Sequence, residues 1–182
     1  MLPCCNFCDQ QIVLLPDTIL NRSDYNTCVD LHSDALYRFC LHFLRDVEPA
    51  RDTVQDCFEK LWINKNSVTT DKAKSWLFTC ANHLMLNHVK RNKVKQQHLD
   101  SLGWSSTNSS DKLFETQQLI ELLVKDLPPL QKSILLLRDL EGYAYQEIGE
   151  MLALTEAQVK VYLFRARLKV KKRANGQFVL AS

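Results

Sequence analysis

The chain has 182 residues, of which 46% are hydrophobic, so it can bury a core and is excluded from the intrinsically disordered class. Only four glycines and five prolines punctuate it, too few for the frequent tight turns of a β-sandwich or barrel, and this predicts helices. A formal net charge of +2 excludes a globally basic binder, so any nucleic-acid contact has to come from local patches.

Residues 1–23 show no clear periodicity, are interrupted by Pro3 and Pro16, and read as an extension. Cys4, Cys5 and Cys8 lie there, and Cys5 with Cys8 forms a CxxC. A structural zinc site wants four ligands, usually as two such pairs, and no second pair exists. No metal and no cofactor is expected. The start lacks a basic region and its apolar run, Ile12 to Leu15, is too short for a secretion signal. No stretch approaches a membrane span, so a cytoplasmic protein without membrane insertion is expected.

A first helical module is expected over residues 24–96. Leu36, Phe39, Cys40, Phe43 and Leu44 fall on one helical face. Pro49 suits the first turn of a second helix, in which Val54, Phe58, Leu61 and Trp62 form an apolar stripe. Its other side carries Asp52, Gln55, Asp56 and Glu59, at first sight a solvated face. Asn64 to Thr70 reads as a polar loop and Asp71 as an N-cap. A long helix then starts with Ala73, Trp76, Leu77, Cys80, Ala81 and Leu84 and ends in the basic cluster Lys90, Arg91, Lys93 and Lys95. Cys28, Cys40, Cys57 and Cys80 all fall in these helices and read as small buried hydrophobes.

Residues 97–114 include GWSSTNSSD and read as a flexible linker. A second module is expected over 115–175, with a short tail at 176–182. Pro128-Pro129 ends one helix and starts another, and Gly142 is a C′ cap. Ile148, Met151 and Leu152 bury one side of a short helix, where Gly149 permits a close approach. Thr155 and Gln158 form a capping box, and Val159, Leu163, Ala166 and Val170 share a face of the helix that follows. This is helix-turn-helix spacing, which DNA readers use by laying the second helix in the major groove. Glu156, Gln158 and Lys160 sit in the first turns, where base edges are met, and Arg165, Arg167, Lys169, Lys171, Lys172 and Arg173 suit phosphates. The fold class is therefore all-α: two small helical domains joined by a flexible linker, the C-terminal one a helix-turn-helix.

The stretch LPPLQKSILLLRDLEGYAYQEIGEMLALTEAQVKVYLFRARLKVKKR, Leu127 to Arg173, resembles the −35-reading domain of bacterial sigma factors, and most closely the extracytoplasmic-function (ECF) branch of the sigma-70 family. Leu36 to Trp62 is similar to the same family's −10-reading domain, with Ala50, Asp52, Gln55, Asp56, Phe58, Leu61 and Trp62 on its signature; Ser75 to Lys93 resembles the helix that follows. The resemblance implies a transcription initiation factor without catalysis of its own. Its implied partners are core RNA polymerase, promoter DNA and an anti-sigma factor. It implies that Asp52, Gln55, Asp56 and Glu59 dock on the largest core subunit. It places Asn64, Lys65, Lys74, His83, Asn87, Lys90 and Arg91 on single-stranded −10 DNA, and Thr155, Glu156, Gln158, Lys160, Arg165 and Arg167 on the −35 duplex. The chain departs from the family pattern at His83, where Asn is common, at Tyr162 and Phe164, where Arg and His are frequent, and at Gly149, where Ala is usual.

Three other classes are weighed against this. An ordinary helix-turn-helix regulator leaves the acidic stripe and the first basic helix without a role. An enzyme would need a phosphate-binding Gly loop, an HExxH or a ligand set, and none is present; His32, His42, His83, His88 and His98 form no recognisable site. A helical adaptor leaves both basic helices unexplained.

Overall fold

The computed structural model describes residues 20–101, 122 and 124–180. The cysteine cluster at 4–8, and the linker and the second module's start at residues 102–121, lie outside the described residues. The described residues form helices and no strand: α1 (Arg22–Leu44), α2 (Val47–Ile63), α3 (Thr70–Ser101), α4 (Pro129–Leu135, continued by a π-helical turn over Leu136–Leu140), α5 (Tyr145–Leu152) and α6 (Glu156–Leu180).

The first module starts earlier than its periodicity suggests. Asn21 caps α1 through its side chain, which accepts from the Asp24 amide at 2.9 Å while Asp24 accepts from the Asn21 amide at 3.2 Å. Just before it, Leu20 is fully buried and its amide donates to the Val68 carbonyl, which ties the chain entry to the loop after α2. α1 buries Cys28, Leu36, Phe39, Cys40 and Phe43. α2 is capped by Asp46 and buries Ala50, Thr53, Cys57, Phe58 and Leu61. The buried face of α2 is thus rotated from the expected stripe: Trp62 is 39% exposed and meets Tyr25 edge-on at 5.0 Å. Small side chains (Ala50, Thr53, Cys57) let α1 and α3 come close on that side, and the large indole is left at the rim.

Two boundaries also move. α3 begins at Thr70, so Asp71 lies in its first turn rather than at the cap, where its charge still favours the helix N-terminus. α3 then runs on to Ser101, past the expected start of the linker, and α6 runs to Leu180, into the expected tail.

In the second module α5, the turn Ala153–Thr155 and α6 form the helix-turn-helix. Thr155 and Gln158 cap α6 reciprocally: the Thr155 amide donates to Gln158 Oε1 at 2.9 Å and the Gln158 amide to Thr155 Oγ1 at 3.3 Å. Val159, Leu163 and Ala166 are buried and Val170 packs beside them. A Cβ on Gly149 would sit 2.6 Å from the Leu154 carbonyl oxygen, so the turn lies against α5 more closely than alanine allows. Gly142 caps the π turn at φ +78°, a conformation glycine adopts without strain.

The two modules pack on each other, and their buried side chains form one continuous core. α3 lies against α5, and α1 touches the π turn. Phe39, Phe78 and Tyr143 run across the junction with ring centroids 5.7 Å and 5.3 Å apart. Asn82 and Ser133, both buried, satisfy each other at 2.7 Å. Thr79 Oγ1 donates to the Met151 carbonyl at 2.7 Å, meeting one of the orphan acceptors at the end of α5. At the edge, Arg38 grips Glu141 with two bonds of 2.8 and 3.1 Å, and Lys74 pairs with Glu147 at 2.7 Å. Exposed ion pairs contribute about 0 to 1 kcal/mol, whereas burying one large apolar side chain contributes roughly 1.5 to 3. The apolar ridge therefore holds the junction and the ion pairs set its register.

Candidate polymerase and nucleic-acid interfaces

Asp52, Gln55, Asp56 and Glu59 recur at helical spacing on α2 and all four are exposed. No ion pair among the described residues engages their carboxylates; the neighbouring Arg51 is turned to Glu48 instead. A shallow groove lined by Ser33, Asp34, Tyr37, Arg51, Val54 and Gln55 runs beside them between α1 and α2. The result is an exposed, largely acidic ridge with a shallow groove next to it. Complementary charge on a basic partner would fix register and speed encounter.

The residues assigned to the −10 strand fall into three groups. Asn64 ends α2 and its amide donates to the Lys60 carbonyl at 2.8 Å; Lys65 places its ammonium 3.6 Å from the Trp62 ring centroid. These two share one corner. His83 and Asn87 lie half-buried along α3, with Lys90 and Arg91 exposed further on. Burial holds the His83 imidazole below its usual pKa, so near neutral pH it carries no charge and can both donate and accept. Lys74 is the exception. Its ammonium is held by Glu147 and lies 4.3 Å from the Tyr143 ring centroid, so in this arrangement it faces the second module.

On the second module the six assigned residues divide as well. Thr155 and Gln158 are occupied by the cap, which fixes the first turn of α6. Lys160 is paired with Glu156 at 2.6 Å, and Arg167 with Asp139 of the π turn at 2.5 and 3.2 Å. Arg165 is exposed, as are Lys169, Lys171 and Lys172. Arg173 pairs with Asp126. The outward side of α6 also presents Val161, Phe164 and Leu168, 48%, 68% and 45% exposed. These three apolar side chains, at helical spacing and flanked by lysine and arginine, give the outward side of α6 a mixed apolar and basic surface. The helix-turn-helix spacing pointed to this face, while the brace between Asp139 and Arg167 left no mark in the sequence.

Comparison with known proteins places this architecture. The family models described as Sigma-70 region 2 and Sigma-70, region 4 match residues 28–94 and 117–170. The RNA polymerase sigma factor YlaC of Bacillus subtilis (strain 168) is 30% identical over 135 residues, covering 69% of this chain and 78% of that protein. The chain belongs to the sigma-70 family. Its likeness to the ECF RNA polymerase sigma factor SigM of Bacillus subtilis (strain 168), 27% identical over 149 residues and covering 80% of this chain and 91% of that protein, places it in the ECF branch. The fold agrees. The sigma factor RpoE, in its co-crystal structure with the anti-sigma factor NepR from Bartonella quintana, superposes with a TM-score of 0.68 at 20% identity, over 84% of this chain and 98% of that one. CnrH, solved in complex with the cytosolic domain of CnrY, gives 0.66 at 18% identity, over 86% and 90%. This ECF sigma factor is a transcription initiation factor that binds core RNA polymerase and directs it to promoters through −10 and −35 recognition. Among the described residues no helix is long and apolar enough to cross a membrane.

Proposed function

We propose that the sigma factor divides its work among three surfaces. Asp52, Gln55, Asp56 and Glu59 of α2 dock on core polymerase. Asn64, Lys65, Lys74, His83, Asn87, Lys90 and Arg91 hold the unpaired −10 strand, whose bases can be read only once they leave the stack. The cap residues Thr155 and Gln158 with Glu156 and Lys160 meet the −35 base edges, while Arg165 and Arg167 meet phosphates. Val161 and Phe164 add apolar contacts suited to thymine methyl groups. The domain limits of this reading are 1–23 for the extension, 24–96 and 115–175 for the two modules, 97–114 for the linker and 176–182 for the tail, with α3 continuing through the first part of the linker to Ser101 and α6 reaching Leu180. The protein has no catalysis of its own and works in the cytoplasm. An anti-sigma factor holds it when it is not needed, a reading supported by the complex with an anti-sigma factor in which one neighbour of its fold was solved.

The observation that carries this assignment is the exposed α2 ridge, whose carboxylates no other described residue pairs. The test is a pull-down of core RNA polymerase with the purified full chain, followed by duplex binding with and without polymerase. Saturable capture of polymerase, with promoter binding that depends on it, is the expected result. Tight duplex binding without any polymerase affinity would instead make the helix-turn-helix an ordinary regulator's and remove the role given to α2.

A further inference from the structure

α6 packs Val159, Leu163 and Ala166 into the second module and turns its other side outward. On that side Val161 and Phe164, three residues apart and so neighbours on the helix, are 48% and 68% exposed. Exposed Lys160, Arg165, Lys169 and Lys172 flank them, which suits a polyanion and makes duplex DNA the occupant this face fits. The polar side chains of the first turns already hold partners: Thr155 and Gln158 bond each other through the cap, and the Lys160 ammonium lies 2.6 Å from Glu156. The side chains of Val161 and Phe164 have no hydrogen bond to give or accept. A base pair offers such side chains one feature in the major groove, the methyl group on C5 of thymine. At C4 thymine carries an oxygen and cytosine an amino group, and an apolar side chain forms a hydrogen bond with neither. Cytosine methylated at C5 therefore presents the same methyl in the same place.

We propose that Val161 and Phe164 read the C5 methyl group itself, whichever pyrimidine carries it. The pair makes thymine and 5-methylcytosine interchangeable at the position it touches, given the −35 assignment of α6 above, on which this proposal rests. Promoter choice by this sigma factor is then sensitive to cytosine methylation of the −35 duplex. Phe164 carries more of the contact, being the larger and the more exposed side chain. Burying one methyl group changes affinity about two- to fourfold. Arg165 meets phosphates in the same assignment, so it strengthens binding to every sequence alike and leaves the methyl difference to the apolar pair.

The full chain, assembled with core RNA polymerase, would select bound duplexes from a library randomised over the −35 region. In a selected duplex each thymine would be replaced in turn by uracil. Its pair would separately be replaced by cytosine with guanine and by 5-methylcytosine with guanine, so that each comparison changes one methyl and nothing else. Competition binding should show uracil about two- to fourfold weaker than thymine, and cytosine weaker than 5-methylcytosine by a similar factor, at the same positions. Phe164→Ala should bring both ratios close to one, with Val161→Ala as a second variant if the first lowers the melting temperature. Arg165→Ala should weaken all the duplexes and keep the ratios. Equal binding of thymine and uracil at every selected position overturns the proposal, as does a thymine preference with no preference for 5-methylcytosine over cytosine. Ratios that survive both alanine variants also overturn it, since the methyl would then act through the shape of the DNA. A library that yields no −35 preference with polymerase bound overturns the −35 assignment and the proposal together, whereas a preference that ignores the methyl overturns the proposal alone.

Discussion

Arg165 and Arg167 stand two residues apart on α6 and are differently placed to act. Arg167 is braced by Asp139, so its guanidinium is fixed before any DNA arrives. Arg165 is exposed. Each phosphate contact contributes close to one unit to the slope of log affinity against log salt. Arg165→Ala should lower that slope by about 1 and weaken duplex binding uniformly across sequences; an unchanged slope in a salt titration would take Arg165 off the phosphate-contacting face. Gly149 offers a test of packing at the same scale. Replacing an interior helix glycine by alanine gains up to about 1 kcal/mol of propensity, but forcing a methyl into a filled site costs about 1 to 3. With backbone oxygen 2.6 Å away, the second effect wins. Gly149→Ala is expected to lower stability by up to about 2 kcal/mol in urea denaturation. Both positions were visible as letters. The Gly149 approach could be anticipated because the turn is local, whereas the Asp139 brace could not, because the two residues lie 28 apart and share no pattern.

At the scale of the element, α2 is a helix with two loaded faces. Its inner face packs through Ala50, Thr53, Cys57, Phe58 and Leu61, and its outer ridge makes no ion pair among the described residues. Removing the ridge should therefore separate binding from folding. The double variant Asp52→Ala, Gln55→Ala is expected to keep its melting temperature within the small range of ordinary surface changes while losing polymerase affinity at least tenfold. Equal affinity in a competition assay would return the ridge to being solvated surface. The elements themselves were legible wherever a periodic face or a local cap marked them: the α6 face of Val159, Leu163 and Ala166, the Thr155–Gln158 box and the glycine after the π turn. Periodicity misled at Trp62, where size suggested burial and the small Ala50, Thr53 and Cys57 were what the neighbouring helices packed against. It was silent on the lengths of α3 and α6, since polar residues such as Gln96 and Gln97 continue a helix without any apolar mark.

For the whole molecule, the junction between modules is the feature that composition and spacing did not disclose. Its contacts join residues far apart in sequence, as in Arg38 with Glu141, separated by 103 positions, and Ser133 with Asn82, separated by 51. Long-range pairs of this kind leave no periodic trace. The junction has a pH signature. The hydrogen bond from Lys74 first, and that from the Ala144 amide second, hold the Glu147 carboxyl below its ordinary value of 4.5. A carboxylate lowered in the folded state contributes stability that is fully present above 4.5 and is lost as pH falls through the lowered value. Because Glu147 is partly exposed, the effect is small. The stability difference between the native chain and Glu147→Gln should be constant from neutral pH down to about 4.5 and close below it. A gap that persists in strongly acidic urea titrations would show that Lys74 and Glu147 do not communicate in solution. Since Lys74 also belongs to the proposed −10 set, the same bond that closes the junction withdraws one cation from the nucleic-acid surface.

The π turn at Leu136–Leu140 has a consequence of chain arithmetic. The Glu141 amide reaches back five residues to the Leu136 carbonyl, one more than an α-helix spans. That extra residue turns everything after it by about 100° relative to a regular helix. Asp139 and Glu141 sit on this turn, one held by Arg167 and the other by Arg38. A chain one residue shorter here would regularise the helix and swing the two carboxylates off both arginines at once. The heading of α6 is thus set by a count of residues, and a comparison of letters that closes the gap in silence would miss it.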